Sequence, residues 1–246
     1  MKKYLLIASA LFLGCFAASA QYMPSEKGTV LTYKSSDVES NKEDTYHARV
    51  TDVVTADNGV VTATVVETHK VEGTAFGELD QTTTFSYDPA TEVTTNTLLT
   101  ADEFKRVTLL SIREMLSQSG QFVSDQQMAE LENSFKPKGD MEVPIPAKVA
   151  DEEAFANSAI RASFMGMSVG VKIVKGKYLG YEEIEVPAGK FNCVKLTYTL
   201  AYIGQGAEPD KKITSWYAPG VGLVKQVAAN KKDKPVGEDV LISIEK

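Results

Sequence analysis

The sequence is short of the residues that most often carry catalysis or bind metals. Its 246 residues include two cysteines, two histidines and one tryptophan. Cys15 lies in an N-terminal apolar segment, and removal of that segment would leave Cys193 as the one mature cysteine, which excludes an intramolecular disulfide. His47 and His69 have no further ligands at zinc spacing, and a zinc site needs three or four. We therefore expect neither a disulfide framework nor a metal site.

Basic residues and long apolar runs are also scarce. The chain has 26 Lys and Arg residues against 33 Asp and Glu residues, a formal charge of −7. Attraction to phosphates needs a basic field, and the short lysine runs at 211–212 and 231–234 contain no aromatic residues. Nucleic acid is therefore excluded as an expected partner. After residue 16 no stretch approaches the roughly 18 consecutive apolar residues of a transmembrane helix, so we expect no membrane span.

The first twenty residues have the organisation of a secretory signal peptide. Two lysines precede an apolar segment at 4–16, and the small residues at 18–20 (ASA) form a cleavage site. Cleavage there leaves 24 basic and 33 acidic residues in a mature chain of residues 21–246, a charge of −9. A second hypothesis is a lipoprotein signal at 13–15 (LGC), in which Cys15 is lipidated and anchors the protein at the outer membrane. Either signal predicts export to the periplasm or cell envelope.

Catalytic motifs are absent from the sequence. It contains no Gly-x-Ser-x-Gly, His-Glu-x-x-His, EF-hand or P-loop pattern. Glu182, Glu183 and Glu185, or the acids at 151–153, could be assembled into a carboxylate pair of the glycosidase kind. With 33 acidic residues in the chain, a solvated strand edge and a helix start explain them better. We predict a protein that is not an enzyme and has no cofactor, with an uncharacterised hydrolase as the third-ranked hypothesis.

The first part of the mature chain has the alternation of β-strands. Asp57-Asn58-Gly59 separates two β-rich runs and favours a tight hairpin turn, because these residues tolerate positive φ. Strands are predicted at 29–35, 46–54, 60–68, 81–87 and 92–97.

Two capping patterns then predict a helical insertion at about 101–135. Thr100 with Glu103 begins a helix that should run to Gln118, and Ser124 with Gln127 begins a second, shorter helix. In the first helix one broad apolar face contains Phe104, Ile112 and Met115, and this face needs a partner. The prolines between 137 and 146 predict an extended linker, and a brief helix is predicted over 151–157.

The rest of the chain returns to strands, predicted at 164–173, 178–186, 191–202, 212–218, 221–227 and 240–244. Few helices lie between the strands, so parallel pairing through crossover helices is excluded and the sheet should be antiparallel. The predicted fold is mainly β (α+β): one domain over 21–246, formed by a single strongly curved antiparallel sheet or incomplete β-barrel. The helical insertion should pack on its concave face.

Two segments resemble a broad family of Gram-negative envelope proteins of unknown function. Residues 180–193 contain a Val-Pro-Ala-Gly-x-Phe turn, and residues 216–225 contain a Trp-x-Ala-Pro-Gly-Val-Gly-x-Val segment. The resemblance implies a secreted, β-rich protein with a curved sheet similar to lipoprotein-carrier folds, and it implies no catalytic residues. In physical terms both segments are proline-glycine corners. Trp216 should anchor the second corner.

The predicted function is non-enzymatic binding of an apolar or lipid-like ligand in the curved sheet of an envelope protein. Cys193 is interpreted as a semi-buried filler, and methionine as flexible core filler or cavity lining. A second hypothesis is a protein–protein interaction or assembly module of the cell envelope without a ligand cavity. The candidate ligand-binding residues are Phe104, Ile112, Met115, Met165, Met167, Tyr198 and Trp216.

Overall fold

Alternating apolar residues and tight turns build most of the chain into antiparallel strands. The computed structural model describes residues 21–38, 40–70, 77–120, 124–164, 166–204, 207 and 209–246. The predicted signal peptide, with both of its cleavage hypotheses, and Met165 lie outside the described residues.

The described elements are strands, apart from two consecutive helices near the middle of the chain. The strands are β1 (Val30–Asp37), β2 (Lys42–Thr55), β3 (Val61–Lys70), β4 (Glu78–Asp88), β5 (Val93–Leu99), β6 (Met141–Pro146), β7 (Ser158–Phe164), β8 (Met167–Val186), β9 (Gly189–Ile203), β10 (Lys211–Ala218), β11 (Gly222–Ala229) and β12 (Pro235–Glu245). The helices are α1 (Ala101–Gln118) and α2 (Asp125–Ser134), both between β5 and β6.

The twelve strands form one antiparallel sheet in the order β6-β5-β4-β3-β2-β1-β12-β11-β10-β9-β8-β7. Pairing of β1 with β12 joins the two halves of the chain in the middle of the sheet. The sheet curls until its edge strands β6 and β7 approach each other, which makes a nearly closed barrel with one seam. The predicted single curved antiparallel sheet with an inserted helical segment is confirmed.

The seam between β6 and β7 is held by a few specific contacts. Lys138 and Arg161 exchange two backbone hydrogen bonds of 2.8 and 3.0 Å. The Ser158 hydroxyl accepts from the Glu142 amide at 2.9 Å and donates to the Glu142 carbonyl at 3.0 Å. Gly139 has φ +84°, and a Cβ at this position would lie 2.3 Å from the carbonyl oxygen of Ala159. The two edges can therefore meet only because residue 139 has no side chain.

Local sequence signals located several elements correctly. The Asp57-Asn58-Gly59 turn joins β2 to β3, with Gly59 at φ +84°. Helix α1 has the predicted bounds, and Thr100 caps it by accepting from the Glu103 amide at 3.2 Å. Helix α2 begins with the complete predicted capping box of Ser124 and Gln127. The Glu103 side chain is used differently, because it accepts from the Thr82 amide of β4 at 3.0 Å.

The predictions around the seam were wrong. Residues 141–146 form strand β6 rather than a linker, and 151–157 contain turns and one bridge rather than a helix. Residues 167–173 of the predicted strand at 164–173 are strand, as the beginning of β8, but β7, which pairs with them, was not predicted. Proline has no backbone N–H to donate to a neighbouring strand, so prolines usually indicate a segment that is not a strand. An edge strand tolerates them. Pro144 and Pro146 lie in such an edge strand, paired only with β5 and facing the seam on the other side.

Candidate functional site

The inward side chains of the barrel line a partly open cavity of about 730 Å³. Ligand pockets in proteins are typically about 300–1,000 Å³ and mainly apolar. Most of this wall is aliphatic or aromatic, and its apolar members include Leu31, Val65, Phe85, Leu98, Leu99, Met141, Val171, Leu200, Ile213, Val221 and Leu223. The curved sheet therefore contains the space that the predicted binding function requires.

Helix α1 forms one side of the cavity. Phe104, Val107, Thr108 and Ser111 line it, and their spacing places them on one helix face. The helix is tied to β4 at its N-terminal end: Glu103 accepts from the Thr82 amide, and the Arg106 guanidinium donates to the Asp80 carbonyl. The helix thus closes the concave side of the sheet through a mixed apolar and hydroxyl surface.

Glu103 and Arg106, the two residues that bond to β4, also pair with each other within α1. Two guanidinium nitrogens of Arg106 lie 2.8 and 2.7 Å from the Glu103 carboxylate, whose residue is 8% exposed. The hydrogen bond from Arg106 is the main reason that the pKa of Glu103 is lowered, against the opposing effect of burial. A forked pair of this kind fixes the orientation of the two side chains that bond to β4.

The other side of α1 faces α2. Lys105 lies 3.9 Å from Glu132, and Arg113 lies 3.7 Å from Asp125, so the two helices run antiparallel. Among the α1 residues predicted to bind ligand, Phe104 lines the cavity and its ring is 5.9 Å from that of Phe135.

The remaining predicted ligand-binding residues are divided between the cavity and the surface. Tyr198 lines the cavity and is 3% exposed. Ile112 is half-buried but is not among the described residues that line the cavity. Met115 is 60% and Met167 is 44% exposed.

Trp216 lies on the outer face of the barrel. Its indole Nε1 donates to the Glu182 carboxylate at 2.9 Å. The ammonium groups of Lys195 and Lys225 lie 5.1 and 5.8 Å from its ring centroid, within cation–π range. Hydrogen bonds from Trp216 and then Lys195 lower the pKa of Glu182. Trp216, which was predicted to bind ligand, is not among the described residues that line the cavity.

Sequence reasoning missed a row of polar side chains that crosses four strands inside the barrel. Ser215 of β10, Gln226 of β11, Asp239 of β12 and Ser35 of β1 are successive cross-strand neighbours. The Ser215 hydroxyl donates to the Gln226 side-chain oxygen at 3.2 Å. Asp239 accepts hydrogen bonds from Ser35 and Gln226. Three of these four residues line the cavity directly.

A second polar group on β3 and β4 faces the same cavity. The Glu67 carboxylate accepts from the Thr83 hydroxyl at 3.1 Å and lies 3.3 Å from His69 Nε2. The imidazole ring packs on Tyr46 with a centroid distance of 4.5 Å, and Tyr46 stacks on Tyr33 at 5.0 Å. The two tyrosines connect this group to the polar row, because Tyr33 lies on β1 two residues before Ser35.

The electrostatic character of the cavity is acidic. Burial raises the pKa of Asp239, and the negative charge of Glu67 raises it further. Burial also raises the pKa of Tyr33 and Tyr46 well above the ordinary value, so both phenols are neutral. Among the described residues that line the cavity there are two carboxylates and one imidazole, with no lysine or arginine.

Asn96 adds an unsatisfied acceptor to the same wall. It is 2% exposed, and its amide nitrogen donates to the Tyr217 hydroxyl at 3.1 Å. Its side-chain oxygen is buried without a hydrogen-bond partner. A buried polar atom that lacks a partner is costly, and native proteins contain few of them.

The described residues contain no group of three or more His, Cys, Asp and Glu that could hold a metal ion. Cys193 is fully buried, and burial raises the pKa of its thiol to about 12, so it is a poor nucleophile. None of the helices that the structure describes is both long and apolar enough to cross a membrane.

The fold and the cavity together define a class: a nearly closed antiparallel barrel whose interior cavity is bounded on one side by an inserted helix. The sequence matches the DUF3108-like family over residues 26–241, and the chain belongs to that family. No curated protein sequence matches the chain significantly.

Two solved structures share the architecture. One is a candidate exported protein with a YmcC-like fold from Bacteroides fragilis, with a TM-score of 0.60, 16% identity, and coverage of 92% of this chain and 99% of that chain. The other is a candidate lipoprotein from Parabacteroides distasonis, with a TM-score of 0.61, 17% identity, and coverage of 92% and 98%. At these identities the likeness shows the fold alone.

Proposed function

We propose that this protein is an exported, non-enzymatic envelope protein that binds one apolar or lipid-like molecule inside its barrel. The observation that carries the proposal is the cavity of about 730 Å³, whose wall is mainly aliphatic and aromatic. Its size falls in the range of about 300–1,000 Å³ that suits small-molecule ligands. A domain that needed no ligand would gain stability by filling such a space with side chains, because unfilled volume forfeits packing contacts.

The position of α1 supports the same function. The helix is fixed to β4 at Glu103 and Arg106, whereas Met115 near its other end is 60% exposed. A ligand of the cavity would contact the helix face that begins at Phe104 and would be shielded from water by it.

The comparisons support export. Both similar structures belong to proteins described as exported or as a lipoprotein. An envelope location, in the periplasm or at the outer membrane, agrees with the signal sequence predicted for residues 1–20.

The test measures how tightly a neutral fluorescent probe, Nile red, binds to protein from which bound lipid has been extracted. Val65→Phe, on the cavity wall and 3% exposed, should fill part of the cavity and weaken probe binding at least tenfold. Val54→Phe is the matched control, because Val54 is 52% exposed on the neighbouring strand β2. Ala48→Leu, at a second position on the cavity wall, repeats the test if Val65→Phe does not fold. Equal binding by the filled and control variants would refute the proposal.

A further inference from the structure

The polar residues of the cavity wall include two acidic side chains and no lysine or arginine among the described lining residues. We name Glu67 and Asp239 the acidic pair. Both line the cavity, and the charge of Glu67 is one of the causes that raise the pKa of Asp239, after burial. The pair is positioned by the barrel, since Asp239 is fixed between Ser35 and Gln226 and Glu67 is fixed by Thr83.

An independent observation points to the same chemistry. The Asn96 side-chain oxygen is buried without a partner, and its residue lines the same cavity. Its amide nitrogen is already used on the Tyr217 hydroxyl. The unfilled hydrogen-bonding capacity of this residue is therefore an acceptor, and a ligand could satisfy it only by donating.

The charge of the lining excludes one large class of ligand heads. Among the described cavity-lining residues, His69 is the only basic side chain, and even a charged imidazole would offset one carboxylate of two. The positive charge of Arg106 on α1 is already neutralised by its ion pair with Glu103. A carboxylate or phosphate head would thus face carboxylates with no opposing lysine or arginine.

We propose that the cavity selects amphiphiles whose polar head is a cationic amine, bound at the acidic pair, over amphiphiles with a carboxylate or phosphate head. This inference rests on the proposed function, because it assigns the head-group chemistry of the same cavity. The amine would donate to Glu67 and Asp239, and the alkyl chain would lie along the apolar wall. Burial strengthens a charge-assisted hydrogen bond of this kind, since little water competes for it.

The experiment compares dodecylamine, dodecanol and sodium dodecanoate, each below its micelle concentration, as competitors of Nile red at about pH 7. These compounds have the same chain length and differ in the head. Dodecylamine should displace the probe at a concentration at least tenfold lower than dodecanoate. The double variant Glu67→Gln/Asp239→Asn should reduce that preference to less than threefold. If it does not fold, Asp239→Asn alone should reduce the preference by at least half.

The control must separate the acidic pair from the general attraction of an acidic protein for amines. Glu183→Gln/Glu238→Gln removes the same number of charges outside the cavity, since Glu183 is exposed and Glu238 pairs with Lys225 at 2.6 Å. This variant should keep the full preference. Failure of all three compounds to displace the probe would refute the proposed function itself. Displacement without preference, or with dodecanoate preferred, would overturn only the assignment of an amine head.

Discussion

The two edges of the barrel meet so closely at Gly139 that a single added carbon atom should destabilise the protein. In Gly139→Ala the new Cβ would lie 2.3 Å from the Ala159 carbonyl oxygen, a backbone atom of β7 that cannot turn aside. Residue 139 also has φ +84°, and this left-handed conformation costs a non-glycine residue about 1–2 kcal/mol. Moving the edges apart would weaken the two Lys138–Arg161 hydrogen bonds, worth about 1 kcal/mol each. The expected loss of unfolding free energy is about 3–4 kcal/mol.

The matched control for this variant is Gly180→Ala. Gly180 has φ +77°, but a Cβ there would have no atom within 4 Å. Only the conformational cost of about 1–2 kcal/mol should appear. Urea denaturation of both variants, with equal m-values as the criterion for an unchanged unfolding transition, measures the difference. Equal losses in the two variants would refute the close approach of β6 and β7.

The remaining predictions concern the polar contacts inside the barrel and at α1. Glu103→Gln should cost about 1–2 kcal/mol at about pH 7, and the cost should vanish in acid, because a lowered pKa gives stability that is lost as pH falls through it. Tyr217→Phe should cost about 1–2 kcal/mol by leaving the Asn96 amide unpaired, and Asn96→Leu/Tyr217→Phe should recover most of it. Asp239→Asn should stabilise the ligand-free protein at about pH 7 but not below about pH 3.5, because its raised pKa makes ionisation unfavourable to folding. Denaturation at both pH values measures the first and third effects, and a pH-independent result contradicts them.

The elements that the sequence predicted correctly are those specified by neighbouring residues. The turn at Asp57-Asn58-Gly59 and the helix starts at Thr100 and Ser124 depend on contacts across at most four residues. Strands β6 and β7 were missed because they are edge strands: β6 is paired with β5 and contains two prolines, and β7 is paired with the beginning of β8. The bridge that closes the seam joins Lys138 to Arg161, which are distant in the sequence, and it has no local signature.

The sequence predicted an apolar binding site but only some of the residues that line it. An apolar cavity under α1 was expected, and Phe104 and Tyr198 line it. The polar residues were missed because no motif in the sequence marks Glu67 or Asp239 among its 33 acidic residues. The alternation did contain the signal: Asp239 lies two residues before fully buried Leu241, and Glu67 lies two residues after Val65, so each shares an inward face with its neighbour.

The apolar face predicted for α1 agrees only in part with the residues of α1 that line the cavity, for a different reason. Helix α1 has two neighbours. Phe104 and Val107 face the cavity under the sheet. Lys105 and Arg113 pair with the second helix on another side of α1. A periodic pattern locates the mean direction of such a face and does not separate its two halves. Met115 was therefore expected inside and lies 60% exposed.

Native mass spectrometry tests the central claim, binding inside the barrel, most directly. Lipid-extracted protein titrated with Nile red should show one bound molecule per chain. Val65→Phe should lose that adduct, and Val54→Phe should retain it, because only the first residue lines the cavity. An adduct of equal abundance in all three proteins, or no adduct in any of them, would contradict the account.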